Sequence, residues 1–225
     1  MKILAVDTAL GACSVAVLDG EEVLAHRFEP MERGHAEALA PMVQAAMRDA
    51  NLRFGDLQRL AVTTGPGTFT GQRVGMAFMR GLRVALNVPL IGITTLEAMA
   101  HAAMEEAGTC LGAALHDAKR GEVYVALYAG HETLLEPSLL PLDEAVRTVG
   151  HGAAQGDELL ALAGTAAIEA RARYAALNGK AEVTGVVAPD ALWVARIAAK
   201  TTATNGAPRP LYLRPPDARL PVLPA

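Results

Sequence analysis

Leu60-Ala61-Val62-Thr63-Thr64-Gly65-Pro66-Gly67-Thr68-Phe69-Thr70-Gly71 is the stretch whose reading decides the fold. An apolar, β-branched run stops abruptly in glycine, proline and threonine, the composition of a buried strand ending in a turn. A helix follows to about Leu86, closed by Asn87 and Pro89. Thr68 or Thr70 serves as N-cap, its hydroxyl accepting a hydrogen bond from a backbone N–H one turn ahead. At about 100° per residue, Val74, Ala77, Phe78, Gly81 and Ala85 share one face, which is expected to lie on a sheet. The opposite face gathers Gln72, Gly75, Met76, Met79 and Arg83. Two methionines beside a glycine are costly to leave in water, so that face is expected to dock on a partner.

The same turn has a second reading. Free N–H groups at a helix start, aligned with the helix dipole, attract phosphate, which makes Gly65, Gly67 and Thr68 candidates to face a nucleotide. The spacing limits the claim. A P-loop places lysine directly after its last glycine, whereas Gln72 follows Gly71, and the dinucleotide glycine pattern fails at Thr70. A plain tight turn stands as the alternative.

Around this stretch lie 225 residues, 52% hydrophobic and only 4% aromatic, so the core is expected to be closely packed from Ala, Val, Leu and Met. The net charge of −4 argues against this chain alone holding nucleic acid, because phosphate contacts need clustered Lys and Arg. Cys13 and Cys110 provide no disulfide framework and read as small buried hydrophobes of a reducing, cytoplasmic setting. The uncharged run from Val84 to Leu96 is shorter than the roughly 20 apolar residues of a spanning helix. Asp7 interrupts the one N-terminal stretch that could resemble a secretion signal.

In chain order, Ile3-Leu4-Ala5-Val6 is a buried strand with an acid, Asp7, at its tip. Cys13 to Leu18 and Val23 to Phe28 complete a meander through the turn Asp19-Gly20. A helix is expected from His35 to Asn51, kinked or started late by Pro41, with Leu39, Met42, Val43, Ala46, Met47 and Ala50 on a stripe wide enough to reach a partner as well as a sheet. The central stretch comes next, then a strand from Leu90 to Thr94 and a helix from Leu96 to Glu106. The second half opens in the same manner. Leu111 to Leu115 runs towards Asp117, and Glu122 to Tyr128 alternates as a strand after Gly121. Two acid-tipped strands entering hairpins predict an α/β protein of duplicated actin-like architecture (ASKHA, ribonuclease H-like): βββαβα lobes over 1–108 and 109–225, the second reduced. Asp7 and Asp117 would face the cleft, unless each is simply a strand-end turn residue. Beyond Pro141, helices are expected over Leu142 to Val149, Ala166 to Leu177 and from Pro189-Asp190 to Lys200. Leu159 to Ala163 is ambiguous, and the proline-rich tail Pro208 to Ala225 is expected to be extended.

These motifs resemble the TsaB (YeaZ) family of bacterial tRNA-modification proteins over nearly the whole chain. The resemblance is carried by Ile3-Leu4-Ala5-Val6-Asp7-Thr8 with Cys13-Ser14-Val15-Ala16, Gly34-His35-Ala36-Glu37, the turn Gly65 to Gly71, Pro89-Leu90-Ile91-Gly92-Ile93, Leu96-Glu97, Asp117-Ala118 with Gly121-Glu122-Val123-Tyr124, and Tyr212-Leu213-Arg214. It implies a non-catalytic partner of a TsaD-like subunit that makes threonylcarbamoyladenosine beside the anticodon. A TsaE-like ATPase would join the complex, tRNA would be met only through it, and no membrane would be involved. ATP and magnesium would serve the assembly, with no cofactor held by this chain alone. TsaD relatives hold a metal with two histidines at i and i+4 of a helix, and those positions fall at Thr95 and Met99 here. A hydroxyl and a thioether do not replace two imidazoles. His101 and His35 have no histidine four residues on and read as ordinary helix residues. Neither a metal site nor independent catalysis is expected. The family pairs with TsaD through helices of the first lobe and self-associates through a similar surface, so His35, Leu39, Met42, Ala46, Gln72, Gly75, Met76, Met79 and Arg83 are the expected interface. A stand-alone actin-like ATP-dependent phosphotransferase, using Asp7, the Gly65 turn and Asp117, is the principal alternative. A metallopeptidase would need the ligands missing at Thr95 and Met99, and a homodimeric binding module unrelated to tRNA would show no TsaD association.

Overall fold

The run Ile3–Val6 is apolar on both sides because it becomes the central strand of a sheet covered on both faces. The computed structural model describes residues 1–153, 158–177, 179–202 and 206–214. In it β1 (Lys2–Asp7) pairs antiparallel with β2 (Ala12–Asp19), and β2 with β3 (Glu22–Pro30). β4 (Arg59–Thr63) runs parallel to β1 on its other side and β5 (Leu90–Ile93) parallel to β4, giving the order β3-β2-β1-β4-β5. α1 (His35–Asp49) and α2 (Phe69–Leu86) make the crossovers, and α3 (Thr95–Ala107) follows β5.

The second half repeats this element by element: β6 (Leu111–Asp117), β7 (Glu122–Ala129), β8 (Glu132–Pro141), α4 (Leu142–Ala153), β9 (Leu160–Ala163), α5 (Ala167–Ala175), β10 (Ala181–Val183) and α6 (Ala191–Lys200). Its sheet has the matching order β8-β7-β6-β9-β10. The fold is therefore the duplicated α/β, actin-like one. The second copy keeps the number of elements and is reduced chiefly in its helices, with 9 residues in α5 against 18 in α2.

The last helix of each repeat crosses over. α3 packs on β6, β7 and β9 of the second sheet, whereas α6 packs on β1, β2, β4 and β5 of the first, and the two helices touch. Leu4 and Val6 consequently join a core with α1 and α2, while Ile3 and Ala5 join one with α6. The alanines that replace aromatics in the composition line this close packing: Ala98, Ala191, Ala195 and Ala198 are fully buried where the crossing helices meet the first sheet.

Several expectations change. β8 escapes periodicity because it is an edge strand, exposed over much of its length and carrying Pro137 and Pro141. β10 is a three-residue edge strand recruited by parallel pairing with β9. α1 starts at His35 despite Pro41, whose position on the exposed side leaves the freed carbonyl of Glu37 to water. Cys13 is buried, its thiol pushed up to about 12 by burial first and Asp7 second, but Cys110 is exposed. Residues 208–214 of the tail form neither helix nor strand, and 215–225 lie outside the described residues. Among the described residues, no helix is long and apolar enough to cross a membrane.

Candidate functional site

The turn from Gly65 to Gly71 is built against the loop that leaves β1. The N–H of Thr68 donates to the carbonyl of Ala9 at 2.8 Å, and a Cβ on Gly67 would come within 2.4 Å of that same oxygen. Thr68 caps α2 as expected, its hydroxyl accepting from the N–H of Gly71 at 3.1 Å. Gly65 holds φ +104° and precedes a cis peptide to Pro66. Its carbonyl accepts from the N–H of Thr95, and the carbonyl of Pro66 accepts from the Thr95 hydroxyl at 2.6 Å. A turn whose N–H groups at Thr68 and Gly71 are already bonded within the chain does not offer them to a phosphate.

Asp7 sits under this turn, fully buried. Its Oδ1 accepts from the Thr63 hydroxyl at 2.5 Å and from the N–H of Ala9 at 3.1 Å, while Oδ2 is buried with no partner. Burial lifts its pKa from the ordinary 3.8 to about 7 against the lowering effect of those bonds, and the nearby charge of Asp190 adds to the rise. The acid expected to face a cleft is thus sealed in the core. The β-strand run that makes it a strand tip also brings Thr63 of β4 alongside it.

Asp117 has a different environment. Its carboxylate takes the N–H of Lys119 at 2.7 Å and the Lys119 ammonium at 2.9 Å, and the lysine holds its pKa below the ordinary value. It lines a cavity of about 310 Å³ with Glu122, Asp143, Thr165, Glu169 and Arg173. The cavity at the glycine turn, about 180 Å³, is lined instead by Pro66, Gly67, Phe69, Gln72, Tyr124 and Leu211 to Arg214. The two carboxylates therefore share neither a hydrogen bond nor one of these cavities.

Thr95 and Met99 carry structural duties. Thr95 is fully buried with its hydroxyl on Pro66, and Met99 is fully buried among Leu96, Ala103, Ala114 and Ala126. His101 is buried beside Tyr128, His131 and Trp193. Burial, then the charges of His131 and Lys200, bring its pKa down to about 4, so the ring is neutral. His35 is buried as well, its Nε2–H donating to the carbonyl of Leu10 at 3.0 Å and pinning the start of α1.

The face of α2 expected to dock on a partner is the one turned to the sheet. Gln72, Gly75, Met76 and Met79 are buried, and Met76 and Met79 pack on Leu4, Val6, Leu60 and Val62 of the first core. Gly75 is needed there: its N–H donates to the Thr8 hydroxyl at 3.0 Å, and a Cβ would lie 2.7 Å from that oxygen. Leu39, Met42 and Ala46 of α1 likewise belong to the chain's own core, and Arg83 is half-buried. The outward face of α2 is Arg73, Ala77, Gly81, Val84 and Ala85, with Val84 80% exposed. Both faces of this helix are apolar, so periodicity alone does not choose between them. Gly71 and Gly75 settle the choice in the structure, because they let α2 approach Thr8.

Residues 22–172 match the family model described as "TsaD: tRNA N6-adenosine threonylcarbamoyltransferase". Over 132 residues the chain is 42% identical to the Escherichia coli tRNA threonylcarbamoyladenosine biosynthesis protein TsaB, a match covering 59% of this chain and 57% of that protein. The solved structure of YeaZ from Pseudomonas aeruginosa superposes with a TM-score of 0.74 at 28% identity, over 94% of this chain and 99% of that one. The chain belongs to the TsaB (YeaZ) family. Its likeness to the ROK hexokinase of Thermus thermophilus, TM-score 0.50 at 18% identity over 88% of this chain and 98% of that one, is one of fold. The chain spans a little over half the length of the E. coli family member it matches.

Proposed function

We propose that this chain is a non-catalytic subunit in tRNA threonylcarbamoyladenosine biosynthesis, binding and activating a TsaD-like catalytic subunit. The observation that carries this reading is the use of Thr95 and Met99. At the helix positions where the sequence resemblance puts the metal-binding histidines of TsaD, one side chain ties down the glycine turn and the other fills a core. A chain that keeps the family fold but spends those positions on its own stability is suited to support a catalyst rather than to be one. Membership of the family supports this pathway, since the E. coli relative is named for it. A TsaE-like ATPase completes the assembly, ATP and magnesium are used there rather than by this chain alone, and tRNA is met only in the complex.

The docking surface in this reading is the outer side of α2 with the adjoining exposed positions of α1, Pro41 and Gln44. Ala77, Gly81, Val84 and Ala85 form a low, apolar stripe on which another helix can approach closely, and Arg73 lies on the same exposed face. Self-association would use the same stripe and compete with the heteromeric contact. Val84→Asp puts a charge at its most exposed apolar position without touching the core. Calorimetry with the TsaD-like subunit of the same organism should show binding by the parent and at least tenfold weaker binding by V84D at equal thermal stability. Unchanged affinity would remove α2 from the interface.

A further inference from the structure

The last described residues of the chain cross from one lobe to the other. Pro208 packs over Gly92 of β5, and its carbonyl accepts from the Arg80 guanidinium of α2. The N–H of Leu211 donates to the carbonyl of Thr64, just before the glycine turn, at 2.8 Å. The Tyr212 ring stacks on Phe69 with centroids 6.0 Å apart, and its hydroxyl accepts from Nε of Arg73, whose guanidinium lies 3.5 Å from the Phe69 centroid. Two residues on, Arg214 reaches the β6–β7 hairpin of the second lobe. It donates to the carbonyl of Ala118 at 2.7 Å and to the Glu122 carboxylate at 2.5 Å.

We infer that Pro208–Arg214 is an intramolecular strap that ties the two lobes across the cavity beside the glycine turn and covers that turn. The crossed helices α3 and α6 already join the lobes, and Thr95 at the start of α3 bonds the glycine turn; the tail adds a separate tie, from that turn to the β6–β7 hairpin. In a two-lobed fold of this kind a ligand that touches both lobes closes them, because it binds the closed arrangement better than the open one. Here the chain's own tail makes contacts of that type. An aromatic stack and a cation over a ring fix it on the first lobe, and a charge-assisted pair with Glu122 fixes it on the second. Leu211, Tyr212, Leu213 and Arg214 line the cavity shared with Pro66, Gly67 and Gln72. A group that reaches the turn by displacing Tyr212 removes the first-lobe anchor of the strap, so that access to this cavity and lobe spacing are coupled.

The strap is independent of the proposed function, since its test reads lobe spacing in the isolated chain. Spin labels on cysteines placed at the exposed positions Ala77 of α2 and Glu144 of α4, in a Cys110→Ser background, report the separation of the lobes by double electron–electron resonance. The parent should give one narrow distance distribution. Tyr212→Ala with Arg214→Ala should shift it to longer distances and broaden it, and Glu122→Gln, which leaves the tail sequence intact, should move it in the same direction. Distributions that coincide in all three chains overturn the strap. Should the double variant fail to fold by circular dichroism, the Glu122→Gln distribution decides alone, a shift supporting the strap and coincidence with the parent overturning it.

Discussion

Replacing Asp7 by asparagine isolates the energetic consequence of sealing a carboxylate under the glycine turn. The rise of its pKa from 3.8 to about 7 means that the folded chain binds a proton the unfolded chain has already lost between those values. The stability tied to protonated Asp7 is therefore fully present below pH 3.8, is lost as pH rises towards 7, and is absent above it. At about 1.4 kcal/mol per pH unit, the whole span amounts to about 4 kcal/mol. Asparagine keeps an oxygen to accept from Thr63 and from the N–H of Ala9 and remains neutral throughout. Its amide N–H2 would occupy the place of the unpartnered Oδ2, at a constant cost of roughly 1–3 kcal/mol. Urea denaturation from pH 4.5 to 8 should show the stability difference between D7N and the parent moving by about 3 kcal/mol in favour of D7N as pH rises. The constant cost shifts the whole difference curve but not its slope. Parallel pH profiles for the two chains would refute the burial argument and return Asp7 to a hydrated cleft.

Gly75→Leu should lower the thermal midpoint measured by circular dichroism, because its side chain meets the Thr8 hydroxyl; the cost is roughly 1–3 kcal/mol, or more if α2 is pushed off the sheet. Thr95→Val should cost roughly 1–3 kcal/mol in urea denaturation by leaving the buried Pro66 carbonyl short of a donor. An NMR titration of the histidines should find His101 protonating near pH 4 and His26 above 6.5, the latter raised chiefly by its hydrogen bond to Asp190. The His26 contribution to stability is then present below pH 6.5 and lost as pH rises through its folded-state value.

The duplicated fold was legible wherever burial on both faces or turn chemistry dominates the sequence. Ile3–Val6 and Leu111–Leu115 announce central strands by continuous apolarity, Asp19-Gly20 marks the β2–β3 turn, and Asn87 marks the end of α2. The edge strands β8 and β10 were not legible, since an edge needs no apolar alternation and takes its register from its neighbour. The candidate site was legible in its parts but not in its orientation. A threonine N-cap at Thr68 or Thr70 follows from residue type and position, whereas the absence of histidines at Thr95 and Met99 is legible only through the resemblance to TsaD relatives. Which face of α2 is free does not, because both are apolar and the choice depends on how close Gly71 and Gly75 let the helix come to Thr8, a fact of tertiary packing. The same limit applies to Asp7: strand periodicity places it at a tip, and only the turn folded over that tip buries it.

The central claim, that this chain supports a catalyst without being one, is tested most directly by reconstitution. Threonylcarbamoyl transfer to tRNA would be measured with the TsaD-like, TsaE-like and threonylcarbamoyl-adenylate synthase proteins of the same organism, with this chain present or left out. The account predicts transfer that depends on the chain, none from the chain alone, and a loss of that dependence on V84D. Full transfer in its absence, or turnover of ATP by the isolated chain, would contradict it.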